Sequence, residues 1–325
     1  MEFRQPFIPP KLITPIRHAD PIFMAGSCFT EQMSQKLRRV KFQVTENPHG
    51  ILFNPVSIAT SIRRYCTGEP YTVDDLFQHE GLWGSWDHHT RFSETDPQDC
   101  LKNINASLQS GAAALKQARW LILTLGSAFV YRKQDGWVVA NCHKVPADRF
   151  EKKMLQPDEI VEEFSGMLDL LQQNCLGINV MLTISPVRHL RDGFVENNRS
   201  KAHLIQAVHA LVEERSNVHY FPSYELVIDD LRDYRFYAED MVHPNYQATQ
   251  YVYERFLQTC IDERDQGLIR VLNQLAAAKA HRIQHPGTKQ HHAFFQKQLE
   301  TMLQLQSAHP HLDLSEEMEY FSSIC

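Results

Sequence analysis

The chain has 325 residues, 43% of them hydrophobic, and a formal net charge of −6. This length can bury a large core, and an acidic balance without a basic block gives no electrostatic reason to expect nucleic acid. No apolar run approaches the roughly 18 residues of a membrane span, and no signal peptide is visible. Seven scattered cysteines are typical of reduced thiols. We therefore expect a cytoplasmic protein with neither a membrane nor a nucleic acid as partner.

Short apolar runs that alternate with helical patterns predict a parallel sheet. The apolar runs are 22–25, 120–125, 178–184 and 218–221. The helical patterns are 31–40, 55–66, 99–118, 158–174 and 197–215. Continuously apolar strands between amphipathic helices indicate the α/β class, with helices on both faces of the sheet. The run 120–125 is the clearest buried strand, and we expect it at the centre of the sheet.

Two segments lie outside this alternation. Residues 71–97 are rich in aromatic and histidine side chains and predict a long, irregular excursion of the kind that walls a binding cleft. The Asp135-Gly136 pair predicts a tight hairpin turn within residues 131–139.

The chain changes character after residue 244. A long helical pattern runs from residue 246 towards 282, and a polar helix is predicted over 290–306. We therefore predict a catalytic domain over residues 1–260 and a helical C-terminal extension over residues 261–325. The helices of this extension could pair two copies of the chain into a homo-oligomer.

A hydroxyl and a thiol stand side by side where the first strand meets the first helix. Gly26 permits a tight bend, and Ser27 and Cys28 follow it directly. At the carboxyl edge of a parallel sheet, a helix N-terminus offers free N–H groups and a positive dipole end, which favour a thiolate or an oxyanion. Ser27 or Cys28 is therefore a candidate nucleophile. The alternative is that Ser27 caps the helix and Cys28 packs in the core.

A carboxylate and an imidazole follow more than two hundred residues later. Asp240 stands three positions before His243, and Pro244 closes the turn. A carboxylate that holds one imidazole nitrogen in the donor tautomer leaves the other nitrogen as an effective base. On this interpretation Asp240 orients His243, which takes a proton from the nucleophile and returns it to the leaving group. The alternative is a helix cap beside a surface histidine.

Five blocks, in order along the chain, carry a family resemblance. They resemble the GSCFA domain family, which looks like a branch of the GDSL/SGNH hydrolase superfamily. The resemblance covers most of residues 20–260 and implies a three-layer flavodoxin-like fold with esterase-type or acyltransferase-type chemistry. The blocks are Gly26-Ser27-Cys28-Phe29, Leu125-Gly126-Ser127, Asn141-Cys142-His143-Lys144, Ser185-Pro186-Val187-Arg188-His189 and Asp240-Met241-Val242-His243.

The first block departs from the superfamily pattern, which is usually Gly-Asp-Ser. Without a gap, the nucleophile position falls on Cys28, and Ser27 takes the place of the aspartate. A shift of one residue restores Ser27 as the nucleophile. Adjacent residues point in different directions, so only one of them can face His243 well. Both assignments stay open on the sequence.

The oxyanion side departs as well. The usual Gly-x-Asn-Asp block supplies an asparagine donor, and here Ala128 stands at that position. The replacement donor could be the Ser127 hydroxyl or Asn141. The resemblance also implies that the N–H of Gly50 faces the oxyanion, although a simple turn glycine is the alternative.

Further polar side chains are candidate pocket residues. Arg188 and His189 follow a buried strand, so we expect them at the same sheet edge as the nucleophile. Arg188 could clamp a carboxylate or phosphate of the substrate. Its alternative partner is a nearby acid such as Asp192 or Glu196.

The block 141–144 could line the same pocket, with His143 or Lys144 binding an anionic group. A metal site would have to combine Cys142 and His143 with the 88–89 histidine pair, which lack the Cys-x-x-Cys or His-x-x-x-His spacing of zinc sites. We therefore expect no metal and no cofactor.

The sequence thus predicts a hydrolase that cleaves an ester, with an O-acetyl group on a carbohydrate as a candidate substrate. An acyltransferase that uses the same site is one alternative, because both reactions share a covalent intermediate. A non-catalytic carbohydrate-binding module on the same scaffold is the other, because Ala128 replaces a donor.

Overall fold

A five-stranded parallel sheet forms the centre of the computed structural model, which describes residues 5–282, 285 and 287–322. Its strand order is β10-β9-β5-β1-β2, so β5 is central, as predicted from its uninterrupted apolar sequence. The strands are β1 (Ile22–Gly26), β2 (Val44–Glu46), β3 (Leu76–His79), β4 (Leu82–Ser85), β5 (Trp120–Leu125), β6 (Phe129–Arg132), β7 (Val138–Val139), β8 (Glu151–Met154), β9 (Asn179–Ile184) and β10 (Val218–Phe221).

Helices connect the strands and follow the last of them. They are α1 (Cys28–Arg39), α2 (Pro55–Thr67), α3 (Pro97–Gln117), α4 (Pro157–Asn174), α5 (Gly193–Glu214), α6 (Ser223–Glu225), α7 (Tyr246–Cys260), α8 (Gln266–Ala280), α9 (Lys289–Ala308) and α10 (Ser315–Ser322). None of the helices within the described residues is long and apolar enough to cross a membrane.

Alternate residues of each central strand face opposite layers of helices. On β1, Phe23 and Ala25 belong to the core shared with α2, α3, α4 and α5, whereas Ile22 and Met24 belong to the core shared with α1, α7, α8, α9 and α10. This alternation follows from the two-residue period of a strand. The predicted α/β architecture, a parallel sheet flanked by helices with a helical C-terminal part, is confirmed.

Two predictions on the outer parts of the fold are corrected. The strand β2 was not predicted, because it is short and polar. The continuous helix from 246 towards 282 is wrong: α7 ends at Cys260, where Ile261 forms a parallel bridge with Ile16. The N–H of Asp262 also donates to the carbonyl of Ile16 at 2.9 Å. A distant contact therefore breaks a pattern that is locally helical.

Two small antiparallel sheets adjoin the central one. The 71–97 excursion is more regular than predicted, because β3 and β4 pair within it and Trp83 bridges to Glu94. The hairpin over 131–139 is confirmed: β6 pairs with β7, and β8 adds a third strand.

Candidate active site

The turn after β1 brings the candidate nucleophiles to the carboxyl edge of the sheet. Gly26 has φ +140°, and a Cβ there would press against the carbonyl oxygen of Thr124 on β5. Its N–H donates to Oδ1 of Asn47 at 2.8 Å. A side chain is excluded both by the backbone conformation and by this close approach. The next residues therefore leave the sheet edge directly into α1.

Ser27 and Cys28 differ in their access to solvent. Ser27 precedes α1, but its side chain makes no capping hydrogen bond, and its buried Oγ has no hydrogen-bond partner among the described residues. Its N–H donates to the carbonyl of Thr124 at 3.1 Å. Cys28 opens the helix and is partly exposed. The side chain of Ser27 therefore does not cap α1, contrary to what the alternative interpretation expected.

The surroundings of Cys28 raise the pKa of its thiol. Burial is the main cause that raises its pKa, and the charge of Glu31 adds to it. The backbone N–H groups of Cys28 and Phe29 and the charge of Lys201 act in the opposite direction. A nucleophilic Cys28 would therefore need a base to remove its proton.

Asp240 and His243 form the expected pair. Nδ1 of His243 lies 2.7 Å from Oδ2 of Asp240, while Oδ1 accepts the N–H groups of Val242 at 2.9 Å and His243 at 3.0 Å. These hydrogen bonds, with the backbone N–H of His243 as the largest cause, lower the pKa of Asp240 to about 2. An ionised carboxylate only accepts, so Nδ1 carries the proton and Nε2 of the neutral imidazole is left as an acceptor.

The turn that carries this pair is attached to the end of β9. Arg188 donates its N–H to the carbonyl of Val242 at 3.1 Å, and a backbone bridge joins Tyr237 to Pro244. The charge of His243 also acts on His189. Within the described residues no hydrogen bond joins His243 to Ser27 or to Cys28. Such contacts often tighten only when substrate binds.

Arg188 does not form the ion pair that was considered for it. Its guanidinium carbon lies 4.1 Å from the ring centroid of Tyr237 and 5.0 Å from that of Tyr234. Asp192 and Glu196 pair with other cations. Arg188 therefore braces the aromatic segment that leads into the Asp240–His243 turn.

His189 lies over the end of β5. Its Nε2 is 3.3 Å from the position that a Cβ would take on Gly126, and its ring lies beside Phe53 at 5.8 Å between centroids. Burial and then the charge of Lys201 lower the pKa of His189 to about 3. The ring is therefore neutral at physiological pH, and its buried Nε2 has no partner among the described residues.

Two of the predicted oxyanion donors are already engaged. The N–H of Gly50 donates to the carbonyl of Asn47 at 2.8 Å, as in a turn. The Ser127 hydroxyl shares a hydrogen bond with Ser200 at 3.2 Å and accepts the N–H of Phe129 at 3.1 Å. Their roles in an oxyanion hole stay predictions.

The 141–144 block divides between two cavities. Asn141 and Cys142 line a cavity of about 280 Å³ that also adjoins Ser127 and His189. His143 and Lys144 instead line a cavity of about 250 Å³ against the β3–β4 pair, where Nε2 of His143 lies 3.0 Å from the carbonyl oxygen of Ser85. A larger cavity of about 720 Å³ lies between α8 and α9, and none of these residues lines it.

Residues 21–256 match the GSCFA family. The chain belongs to the GSCFA family. Residues 272–324 match a second description, "GSCFA domain protein, C-terminal domain". No curated protein matches the chain. The domain boundary at residue 260 stays a prediction, although it falls between the two matched segments.

This GSCFA domain contains one site residue that the sequence analysis missed. Lys201 on α5 is 1% exposed, and its Nζ donates to the carbonyl oxygens of Gly126 at 2.6 Å and Ser185 at 2.7 Å. It thereby joins the chain segments that follow β5 and β9. Its burial could have been inferred from its helical spacing, because Asn197 and Leu204 lie on the same buried face of α5.

Within residues 5–282, 285 and 287–322, no three histidine, cysteine or carboxylate side chains lie close enough together to hold a metal ion. His88 instead stacks on His49, with 4.2 Å between ring centroids.

Proposed function

We propose that this GSCFA protein is a hydrolase that cleaves an ester through a covalent acyl-enzyme intermediate, in the manner of the GDSL/SGNH superfamily. In this proposal Cys28 is the nucleophile, His243 the base and then the acid, and Asp240 the residue that orients His243. The proposal rests chiefly on the Asp240–His243 pair, which is held beside the end of β9, at the same edge as the turn after β1.

Accessibility favours Cys28 over Ser27. A nucleophile must reach a substrate carbonyl, and Oγ of Ser27 is shielded from solvent whereas Cys28 is partly exposed. The N–H groups of the first turn of α1 also act on the Cys28 sulfur and favour its anion. Ser27 stays the second candidate, supported by the precedent of the superfamily.

The reaction would proceed in two steps. Nε2 of His243 takes the proton of the Cys28 thiol as the sulfur bonds to the ester carbonyl carbon. The tetrahedral intermediate then breaks its bond to the alkoxide, which receives the proton from His243. Water, deprotonated by His243, attacks the thioester and releases the acid, so that the thiol is restored.

The cavity beside His189 is the substrate site we propose; Cys28 and His243 are not among the residues that line it. Its volume of about 280 Å³ is just below the range of about 300–1,000 Å³ that is typical of ligand sites. Phe129 and Tyr131 supply aromatic surface, and Asn141 and Arg191 supply polar groups. Aromatic faces with a few polar groups suit a carbohydrate, so an acetylated sugar is the substrate class we propose.

The test is hydrolysis of short-chain aryl esters and acetylated sugars by three purified proteins. We expect His243→Ala to lower kcat/KM by about 10²–10⁴-fold relative to the wild type, because the general base is lost. His292→Ala, which changes an exposed histidine on α9, should leave the rate unchanged. Equal rates for the wild type and His243→Ala would refute the assignment. Transfer of the acetyl group to an added sugar in preference to water would instead identify an acyltransferase.

A further inference from the structure

Lys201 is a buried lysine that forms no ion pair with a carboxylate among the described residues. We propose that the ammonium group of Lys201 is the electrostatic centre of the site, where it stabilises the negative charge that forms when Cys28 attacks an ester. This inference rests on the proposed function for the reaction, but its electrostatic part can be tested without any substrate.

The first step of the argument is the position of the ammonium. Lys201 holds the carbonyl oxygens of Gly126 and Ser185, which follow β5 and β9 at the carboxyl edge of the sheet. The strand β1 pairs with β5 in register up to Gly26 opposite Thr124, so the turn into Cys28 lies next to this point. The lysine is thus anchored beneath the edge that carries the candidate nucleophile.

The second step is the cost of this arrangement. A lysine that is 1% exposed has lost the hydration of its charge, and an isolated buried cation is strongly unfavourable. Among the described residues Lys201 forms no ion pair with a carboxylate, and its two carbonyl partners carry only partial charges. An anion that forms beside the ammonium during the reaction would supply the missing counter-charge.

The third step is that the charge reaches the reacting groups. Lys201 favours the thiolate of Cys28, and it disfavours protonation of His189. Ala128 stands where the superfamily resemblance implies an asparagine donor. A fixed ammonium at this edge would take over that donor's role in stabilising the oxyanion.

This role predicts a characteristic pH dependence. Burial lowers the pKa of Lys201 to about 7, and the charge of Cys28 acts in the opposite direction. Among the described residues, His189 and the Tyr224 ring, whose centroid is 5.8 Å from Nζ, also interact with the ammonium. Lys201 is charged below its pKa and neutral above it, so activity should decline as the pH rises through about 7.

The first experiment compares the pH profiles of kcat/KM for an aryl acetate among the wild type, Lys201→Arg, Lys201→Met and the exposed control Lys102→Met. Arginine keeps its charge up to about pH 12, so the alkaline decline should disappear in Lys201→Arg. Lys201→Met should lose about 100-fold in rate, and Lys102→Met should match the wild type. If the rate of Lys201→Arg declines at the same alkaline pH as that of the wild type, the proposal is overturned. This outcome decides the question even if Lys201→Met fails to fold.

The second experiment needs no substrate. Iodoacetamide alkylation of Cys28 is followed against pH by peptide mass spectrometry, with the partly exposed Cys142 as the internal reference. Lys201 is neutral where the Cys28 thiol titrates, because its pKa is about 7 and that of Cys28 is raised. Lys201→Arg keeps its charge there, so the alkylation midpoint of Cys28 should move to lower pH while that of Cys142 stays, and Lys201→Met should keep the wild-type midpoint. An unchanged Cys28 midpoint in folded Lys201→Arg would overturn the coupling. A shifted midpoint in a protein that hydrolyses no ester would contradict the proposed function and support the coupling.

Discussion

At the scale of single residues, the account depends on how Asp240 fixes His243. Its two carboxylate oxygens accept two backbone N–H groups and the imidazole Nδ1, so one side chain sets both the turn and the tautomer. The three-residue spacing to His243 was readable from the sequence because both groups lie in one short turn. The role of Lys201 could not be predicted from the sequence, because its partners Gly126 and Ser185 come from other parts of the chain.

Asp240→Asn should lower kcat by about 10²–10⁴-fold, because an amide can hold the imidazole in the wrong tautomer. The pKa of Asp240 is about 2, so the carboxylate is ionised above pH 3 and Asp240→Asn should lower the rate throughout the pH profile. Asp233→Asn, at another exposed aspartate that caps a turn, is the control. Steady-state kinetics from pH 4 to 9 check this, and a fully active Asp240→Asn would contradict the role of Asp240.

At the scale of elements, the strand-to-helix turn after β1 carries the proposed nucleophile. The apolar runs predicted β1 and β5 because buried parallel strands are continuously apolar. The contact between β1 and β5 at Gly26 was only partly predictable. The glycine itself indicated a bend, but its close approach to Thr124 depends on β5 lying next to β1 in the sheet. The break after α7 was not predictable locally, because Ile16 provides the bridge that ends the helix.

Gly26→Ala should destabilise the fold by more than about 2 kcal/mol, because the backbone has φ +140° and the new methyl group meets Thr124. Gly267→Ala is the matched control: this glycine lies in the first turn of α8 with open space around it. Alanine there should be neutral or stabilise by up to about 1 kcal/mol. Urea denaturation of both variants measures the difference. Equal midpoints would show that the turn tolerates a side chain.

At the scale of the whole molecule, the C-terminal helices share a core with the sheet. Met302 on α9 and Phe321 on α10 belong to the same apolar cluster as Ile22 and Met24 on β1. The sequence predicted helices here but not the surface against which they pack, because an amphipathic pattern does not identify the element that its apolar face contacts. We expect the sheet and these helices to unfold in one transition.

Met302→Ala tests this shared core. Met302 is fully buried, so its truncation should lower the free energy of unfolding by about 2–5 kcal/mol. Leu303→Ala, the adjacent position with 60% exposure, should change it by less than about 0.5 kcal/mol. Thermal unfolding by calorimetry should show a single shifted transition for Met302→Ala. Two transitions, with only one of them shifted, would mean that the C-terminal helices fold separately.

The central claim is that a side chain in the turn after β1 forms a covalent bond to an acyl group. Its most direct test is to mix the protein with p-nitrophenyl acetate, quench it with acid and measure the intact mass and the modified peptide. We predict the addition of one acetyl group at Cys28. In His243→Ala the acetyl group should form slowly and then accumulate, because the base that activates water for its hydrolysis is missing. Acetyl transfer to residues outside Ser27 and Cys28, or no adduct during turnover, would contradict the account.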